Sequence, residues 1–232
     1  TDTNIDSHVD LVVHSAAYPR DTTPELVKAV ALGIPVYSYP EMLGELSSCC
    51  DATGIAGVHG KSTTTAMTGA IIRRLELPGS VIAGTAVRDF DDRSTITLGN
   101  EFLVAETCEY RRHFLSFHPD RIVITNIELD HTDYFSGLED VEEAFLSYGL
   151  LLPPDGELIY CADDPGAVRV AGRLHSMKPG LSLIPYGFSA EGPFRTSGVN
   201  AVEGKMEFLV EGVPDSLELR VPGKHNVLNA AA

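Results

Sequence analysis

A strand, a tight glycine turn and a helix that opens on Lys-Ser constrain this chain more than any other part of it. Gly54–Val58 is a short apolar run and reads as a buried strand. Gly57-Val58-His59-Gly60-Lys61-Ser62-Thr63 follows, and a helix is predicted from about Lys61 to Leu75. A glycine turn lets backbone N–H groups approach phosphate oxygens, and the helix N-terminus behind it adds partial positive charge. Lys61 supplies a full charge to the outer phosphates, and the Ser62 hydroxyl can ligate Mg²⁺. The spacing is not the common G-x-x-x-x-G-K-[ST], because Gly54 lies one residue too far back.

The surrounding pattern predicts an α/β fold: a mostly parallel sheet flanked by helices, carrying this phosphate loop. Before the loop, Val9–His14 and Ile34–Ser38 read as strands. A helix capped by the Thr22-Thr23 hydroxyls with Pro24 in its first turn stands between them, and a second runs from Pro40 to about Ser47. After the loop, strands are predicted at Ser80–Ala83, Thr95–Leu98, Phe102–Glu106, Arg121–Thr125 and Glu157–Cys161. A helix is predicted at Leu138–Leu150, and another, capped by Asp163-Asp164-Pro165, runs through Leu174. Leu181–Val221 alternates more and is richer in Gly and Pro, so antiparallel strands are expected there.

In an open α/β sheet, ligands sit at the carboxyl ends of the strands. Three further groups fall there or nearby. Glu106 closes one strand, with Glu109 three residues on, and a carboxylate there is a hard oxygen ligand for Mg²⁺ or a solvated strand-end charge. Thr125-Asn126-Ile127-Glu128-Leu129-Asp130-His131-Thr132-Asp133 follows another buried strand and places His131 between two aspartates. Asn226 and Asn229 are three apart and share a face if helical. Their amides suit the polar edge of adenine and serve equally well as helix caps.

Composition removes several function classes. The chain has 33 acidic residues against 17 basic and a formal charge of −16, which excludes the clustered Lys and Arg of a nucleic-acid face and opposes an anionic membrane surface. No apolar run has the length of a membrane span, and the polar start, Thr1 to Asp10, is not a signal peptide. Cys49, Cys50, Cys108 and Cys161 form no C-x-x-C pair, and free thiols in a reducing cytoplasm are expected.

Taken together, these residues resemble the Mur ligase family. The resemblance runs from about Asp10 to Ala232. It is carried by His14-Ser15-Ala16-Ala17, the G-x-x-G-K-S-T-T loop, Glu106-Thr107-Cys108-Glu109-Tyr110-Arg111-Arg112-His113-Phe114-Leu115, Thr125-Asn126-Ile127-Glu128-x-Asp130-His131-x-Asp133-Tyr134-Phe135, and His225-Asn226-x-x-Asn229. It departs from the family at Val58 and Ser62, where threonine is usual. Sister enzymes that add later stem residues use a carbamylated lysine beyond the motif containing His131. This chain has no lysine between Lys61 and Lys178, which is similar to the alanine-adding branch or to ligases that recycle a ready-made murein peptide.

The resemblance implies an ATP- and Mg²⁺-dependent amide ligase of peptidoglycan precursor synthesis, with UDP-N-acetylmuramate and L-alanine as substrates. Gly57, His59, Gly60, Lys61, Ser62 and Thr63 would hold the phosphates, and Asn226 and Asn229 would face adenine. Ser62, Glu106 and His131 would hold metal, with Lys61, Glu106 and His131 serving catalysis. His14, Ser15 and Ala16 would lie near the nucleotide sugar. Residues 1–50 would be the C-terminal part of a nucleotide-sugar-binding domain, and 51–232 a central ATP-binding domain shortened at its C-terminal end. A third, amino-acid-binding domain would lie outside the chain, so this piece alone is expected to be inactive. A reading from a different class is an ATP-binding module without ligase chemistry, which would have no use for Glu106 and His131.

Overall fold

A computed structural model describes residues 2–232; Thr1, where the polar opening stretch begins, lies outside the described residues. Residues before position 51 build a small β-α-β-α unit. Strands β1 (Val12–His14) and β2 (Val36–Ser38) pair in parallel, joined by α1 (Pro24–Ala31) and followed by α2 (Tyr39–Ser47). Pro24 opens α1 as expected, but Thr23 at its N-cap makes no side-chain cap bond. The better cap belongs to α2. The Ser38 hydroxyl accepts from the Glu41 N–H, and the Glu41 carboxylate accepts from the Ser38 N–H at 2.7 Å, a reciprocal capping box.

The main sheet has seven strands in the order β5-β4-β6-β3-β7-β8-β9. These are β3 (Asp51–Ala56), β4 (Gly79–Val87), β5 (Arg93–Thr97), β6 (Phe102–Glu106), β7 (Arg121–Ile124), β8 (Glu157–Cys161) and β9 (Ser182–Tyr186). All neighbours are parallel except β4 and β5. Strand periodicity sorts the side chains between two faces. Ala52, Ala56, Ala105, Ile122, Ile124 and Leu158 meet α4 (Leu138–Gly149) and α5 (Pro165–Met177). Ile55, Val81, Val104 and Val123 meet α3 (Lys61–Arg74). Both faces are covered, as an all but parallel sheet requires. Of the predicted Asp163-Asp164-Pro165 cap, Asp164 is the residue that caps α5, accepting from the Ala167 N–H at 2.7 Å.

The region after Leu181 divides in two, which corrects the expectation of antiparallel strands throughout. β9 pairs in parallel with β8 at the sheet's edge. Its Pro185 has no N–H to give, which an edge strand tolerates. Only β10 (Thr196–Val202), β11 (Lys205–Val210) and β12 (Leu217–Leu219) form an antiparallel sheet. Helix α6 (Lys224–Ala231) follows, and its Val227 packs on Met206 and Phe208. No helix among the described residues is long and apolar enough to cross a membrane.

Candidate active site

Strands β6, β3 and β7 are immediate neighbours, and each runs directly into one of the predicted site segments. At the centre, β3 ends at Ala56 and the chain turns through Gly57 into α3. Gly57 takes φ +139°, and a Cβ there would stand 2.0 Å from Thr125 Oγ1. Only glycine fits. Gly60 is the N-cap of α3 in the left-handed conformation, φ +85°. It has no side chain with which to cap, so the first amides of α3 are left for a ligand. Thr64 N–H is the first to find a helical acceptor, Gly60 O at 2.8 Å. Val58, where the family has threonine, is 8% exposed. Its side chain lies inside, where a hydroxyl would need a partner.

The loop is held by the segment after β7. Thr125 Oγ1 donates to His59 O at 2.6 Å. The Asn126 amide donates to the same carbonyl at 2.8 Å and accepts the His59 N–H at 2.9 Å. These two residues stood in the sequence motif without an assigned role. Their position one and two residues past a buried strand was the available signal.

Lys61 Nζ donates to Gly57 O, to Val58 O at 3.2 Å, and to Glu109 Oε2 at 3.0 Å. Glu109 is 1% exposed. Its other oxygen lies 3.5 Å from His131 Nε2, so one buried carboxylate joins the loop lysine to the histidine beyond β7. His131 takes φ +51° and packs against the Tyr110 ring at 4.7 Å. A non-glycine residue persists in that conformation only where its surroundings impose it. Tyr110 donates from its hydroxyl to Asp133 Oδ2 at 2.7 Å. Glu106, at the end of β6, accepts the Gly84 N–H at 2.6 Å through Oε2. The Tyr39 phenol is raised above its ordinary value by burial and then by the Glu106 charge.

The predicted residues are therefore brought to one edge, but unequally. Lys61 and His131 share Glu109, whereas no hydrogen bond joins Ser62, Glu106 and His131 to one another. Among the described residues, no three His, Cys, Asp or Glu side chains stand close enough to hold one ion. Glu106 Oε1 and the Ser62 hydroxyl are oxygen donors of the kind Mg²⁺ takes, one or two from a protein with water and phosphate completing the shell. On α6, Asn226 and Asn229 do share a face, with Asn229 Nδ2 3.5 Å from Asn226 Oδ1. Asn226 also donates to Pro222 O at 2.7 Å. Asn229 lies against the loop: a Cβ on Gly60 would meet its Oδ1 at 2.4 Å. His14, Ser15 and Ala16 line a separate cavity of about 730 Å³ with Tyr39, Tyr110 and Arg111.

Known proteins resemble this chain in sequence and in fold. The profile described as the Mur ligase middle domain matches residues 55–232, and that of the Mur ligase family catalytic domain matches residues 1–49. A UDP-N-acetylmuramate–L-alanine ligase of Treponema pallidum is 44% identical across 98% of this chain and 47% of its own length. The enzyme of the same name from Borreliella burgdorferi is 39% identical across 98% of this chain and 48% of its own. The chain thus spans about half the length of the relatives it matches. Two solved structures have the same fold. UDP-N-acetylmuramate:L-alanyl-gamma-D-glutamyl-meso-diaminopimelate ligase of Neisseria meningitides superposes with TM-score 0.76 at 22% identity, over 96% of this chain and 71% of that one. The MurF ligase of Thermotoga maritima in complex with ADP gives 0.70 at 16% identity, over 100% and 60%. With the phosphate loop, the sheet edge and both profiles in agreement, this chain belongs to the Mur ligase family.

Proposed function

We propose that this chain is the ATP-binding part of an ATP-dependent ligase that joins L-alanine to UDP-N-acetylmuramate in the cytoplasm, during peptidoglycan precursor synthesis. Residues 1–50 are read as the C-terminal part of the nucleotide-sugar domain and 51–232 as the central domain. The observation that carries the reading is the single edge at which three adjacent strands deliver Lys61, Glu106 and His131. A phosphate-binding module without chemistry needs the first of these and not the other two. The names of the 44% and 39% identical relatives favour alanine over a ready-made peptide.

A carboxylate resists attack by an amine because oxide is a poor leaving group. Transfer of the γ-phosphoryl group breaks its bond to ADP and forms a bond to a carboxylate oxygen, giving an acyl phosphate. The alanine amine adds to that carbonyl, inorganic phosphate leaves, and the amine loses a proton. Such a transfer is governed by positioning and charge neutralisation. The amides of Gly60, Lys61, Ser62 and Thr63 and the Lys61 ammonium orient the outer phosphates. Gly57 and His59 keep the loop in shape. Ser62 and Glu106 would hold one Mg²⁺ and His131 a second, and the ions would supply neutralisation of the clustered anions. Asn226 and Asn229, which share a face of α6 beside the loop, would face adenine.

Calorimetry with MgATP on this chain tests the loop. Micromolar-range binding lost in Lys61→Ala is the expected result; equal binding by both proteins would overturn the assignment. Phosphate release by the intact enzyme should depend on L-alanine, and dependence on a tripeptide in its place would establish the recycling activity instead.

A further inference from the structure

Asp163 and Asp164 follow β8, which borders β7 in the sheet, so both leave from the edge that carries the site. Asp164 serves the helix it caps and the segment after β7: besides the Ala167 N–H it accepts the Ile127 N–H at 3.0 Å. Asp163 has no part in that cap. Its carboxylate accepts three donors from the turn after β9, the Phe188 N–H at 2.6 Å, the Ser189 N–H at 3.1 Å and the Ser189 hydroxyl at 2.7 Å. Hydrogen bonds to an ionised acceptor are the strong ones. Three of them from two consecutive residues fix both the place and the orientation of the turn.

That turn is the joint between the main sheet and the small one. Gly187 O accepts the Thr196 N–H at 2.8 Å, where β10 begins. Phe188 packs against the cluster of Met206, Phe208, Val210 and Val227, and Val227 belongs to α6. Gly187 takes φ +114°, and a Cβ there would run into the Asp163 carboxylate and stand 3.2 Å from Leu228 Cδ2, also on α6. The turn therefore supports α6 in two ways, through the cluster that holds Val227 and directly at Leu228. On the other side of α6, Asn229 lies against Gly60 of the phosphate loop. The contacts close on themselves around the loop: Asn126 holds His59, Asp164 holds Ile127, Asp163 holds the turn, the turn meets α6, and α6 returns to Gly60.

We propose that Asp163 is a positioning residue for the adenosine end of ATP: through the Gly187–Ser189 turn it sets where α6 presents Asn226 and Asn229 relative to the phosphate loop. The proposal rests on the reading of those two amides given above. The loop itself is built on β3 and held by Thr125 and Asn126, so it keeps its shape without Asp163. α6 belongs to no strand of the main sheet, and its distance from the loop depends on the elements it rests on. Loss of the carboxylate frees the turn and with it α6. The phosphate end and the adenosine end of the nucleotide then respond differently, which a general loss of stability would not produce.

The test is calorimetry on this chain and on Asp163→Ala and Asp163→Asn, with MgATP and with inorganic triphosphate plus Mg²⁺, which has the phosphates and no adenosine. Circular dichroism checks that the variants fold; where Asp163→Ala does not, the comparison is read on Asp163→Asn. Asp163→Ala should weaken MgATP by about 10-fold, the scale of one or two hydrogen bonds, and leave triphosphate within about twofold. Asp163→Asn should fall between, because one oxygen still accepts while its NH₂ faces a donor. Equal losses on both ligands overturn the proposal, since they mean a loosened loop and not a displaced helix. Unchanged MgATP affinity in the folded variants overturns it as well. Wild-type chain that binds MgATP no more tightly than triphosphate removes the adenine-facing role of α6 and this proposal with it, while leaving the phosphate-loop reading intact. Wild-type chain that binds neither ligand overturns both.

Discussion

The Lys61 ammonium is shared among two loop carbonyls and the buried Glu109 carboxylate. Removing one member of a buried ion pair strands the other, at a cost of about 3–5 kcal/mol. Lys61→Ala should therefore lower the thermal midpoint as well as remove MgATP binding. Glu109→Gln should cost less, because Lys61 keeps Gly57 O and Val58 O. The double variant Lys61→Met/Glu109→Gln should regain much of the lost stability and none of the binding. Melting curves and titrations on the same samples separate the two effects. If the double variant melts no higher than Lys61→Ala, the pair is not what holds these residues. Lys61 was legible from its motif, since a glycine turn before a helix has few other uses. Glu109 was not: its role depends on the chain curling back through Thr107 and Cys108, which no local pattern announces.

Among the elements, α2 and α6 carry the clearest consequences. The Glu41 carboxyl is held below its ordinary 4.5 by the Ser38 N–H first and the Ser38 hydroxyl second. The folded value is the lower one, so the stabilisation is complete above pH 4.5 and fades as pH falls through the folded value. Glu41 is half exposed, so solvent screening limits the effect to a fraction of a kcal/mol, about the scale of other exposed polar contacts. Thermal midpoints of wild type and Glu41→Gln should differ at pH 7 and converge as the pH falls below the folded value; a constant gap would show that the cap does not titrate. For α6, Gly60→Ala introduces a Cβ 2.4 Å from Asn229 Oδ1 at φ +85°. Two costs follow, a strained backbone of about 1–2 kcal/mol and a displaced Asn229 side chain. Asn229→Ala added to Gly60→Ala should relieve the second and leave the first, a partial rescue readable by denaturant titration. The elements of the parallel sheet were legible because buried strands and amphipathic helices alternate in period. β9 was legible only as a strand, expected to be antiparallel, because the alternation does not say which neighbour it joins, and its parallel pairing with β8 is settled 25 residues away.

Across the whole molecule, a formal charge of −16 makes self-repulsion a term in stability. Raising sodium chloride from about 0.02 to 0.3 M shortens the screening length to below about 10 Å. The thermal midpoint should rise by a few degrees over that range, measured by calorimetry at pH 7.5. A midpoint that fell instead would mean that the ion pairs, such as Arg121 with Asp51 and Glu157, outweigh the net repulsion.

The three site segments leave from adjacent strands, in the order β6-β3-β7. The points at which the chain leaves the sheet toward the loop lysine, the strand-end glutamate and the histidine are thus spaced by the gap between hydrogen-bonded backbones, about 4.8 Å. That gap does not depend on which side chains fill the interior. The interior can exchange one aliphatic residue for another over long divergence while the reacting groups keep their places, like marks on a ruler whose wood has been replaced. Substitutions on the two faces of the sheet should accordingly change how firmly the protein stands, and only those at its edge should change what it does.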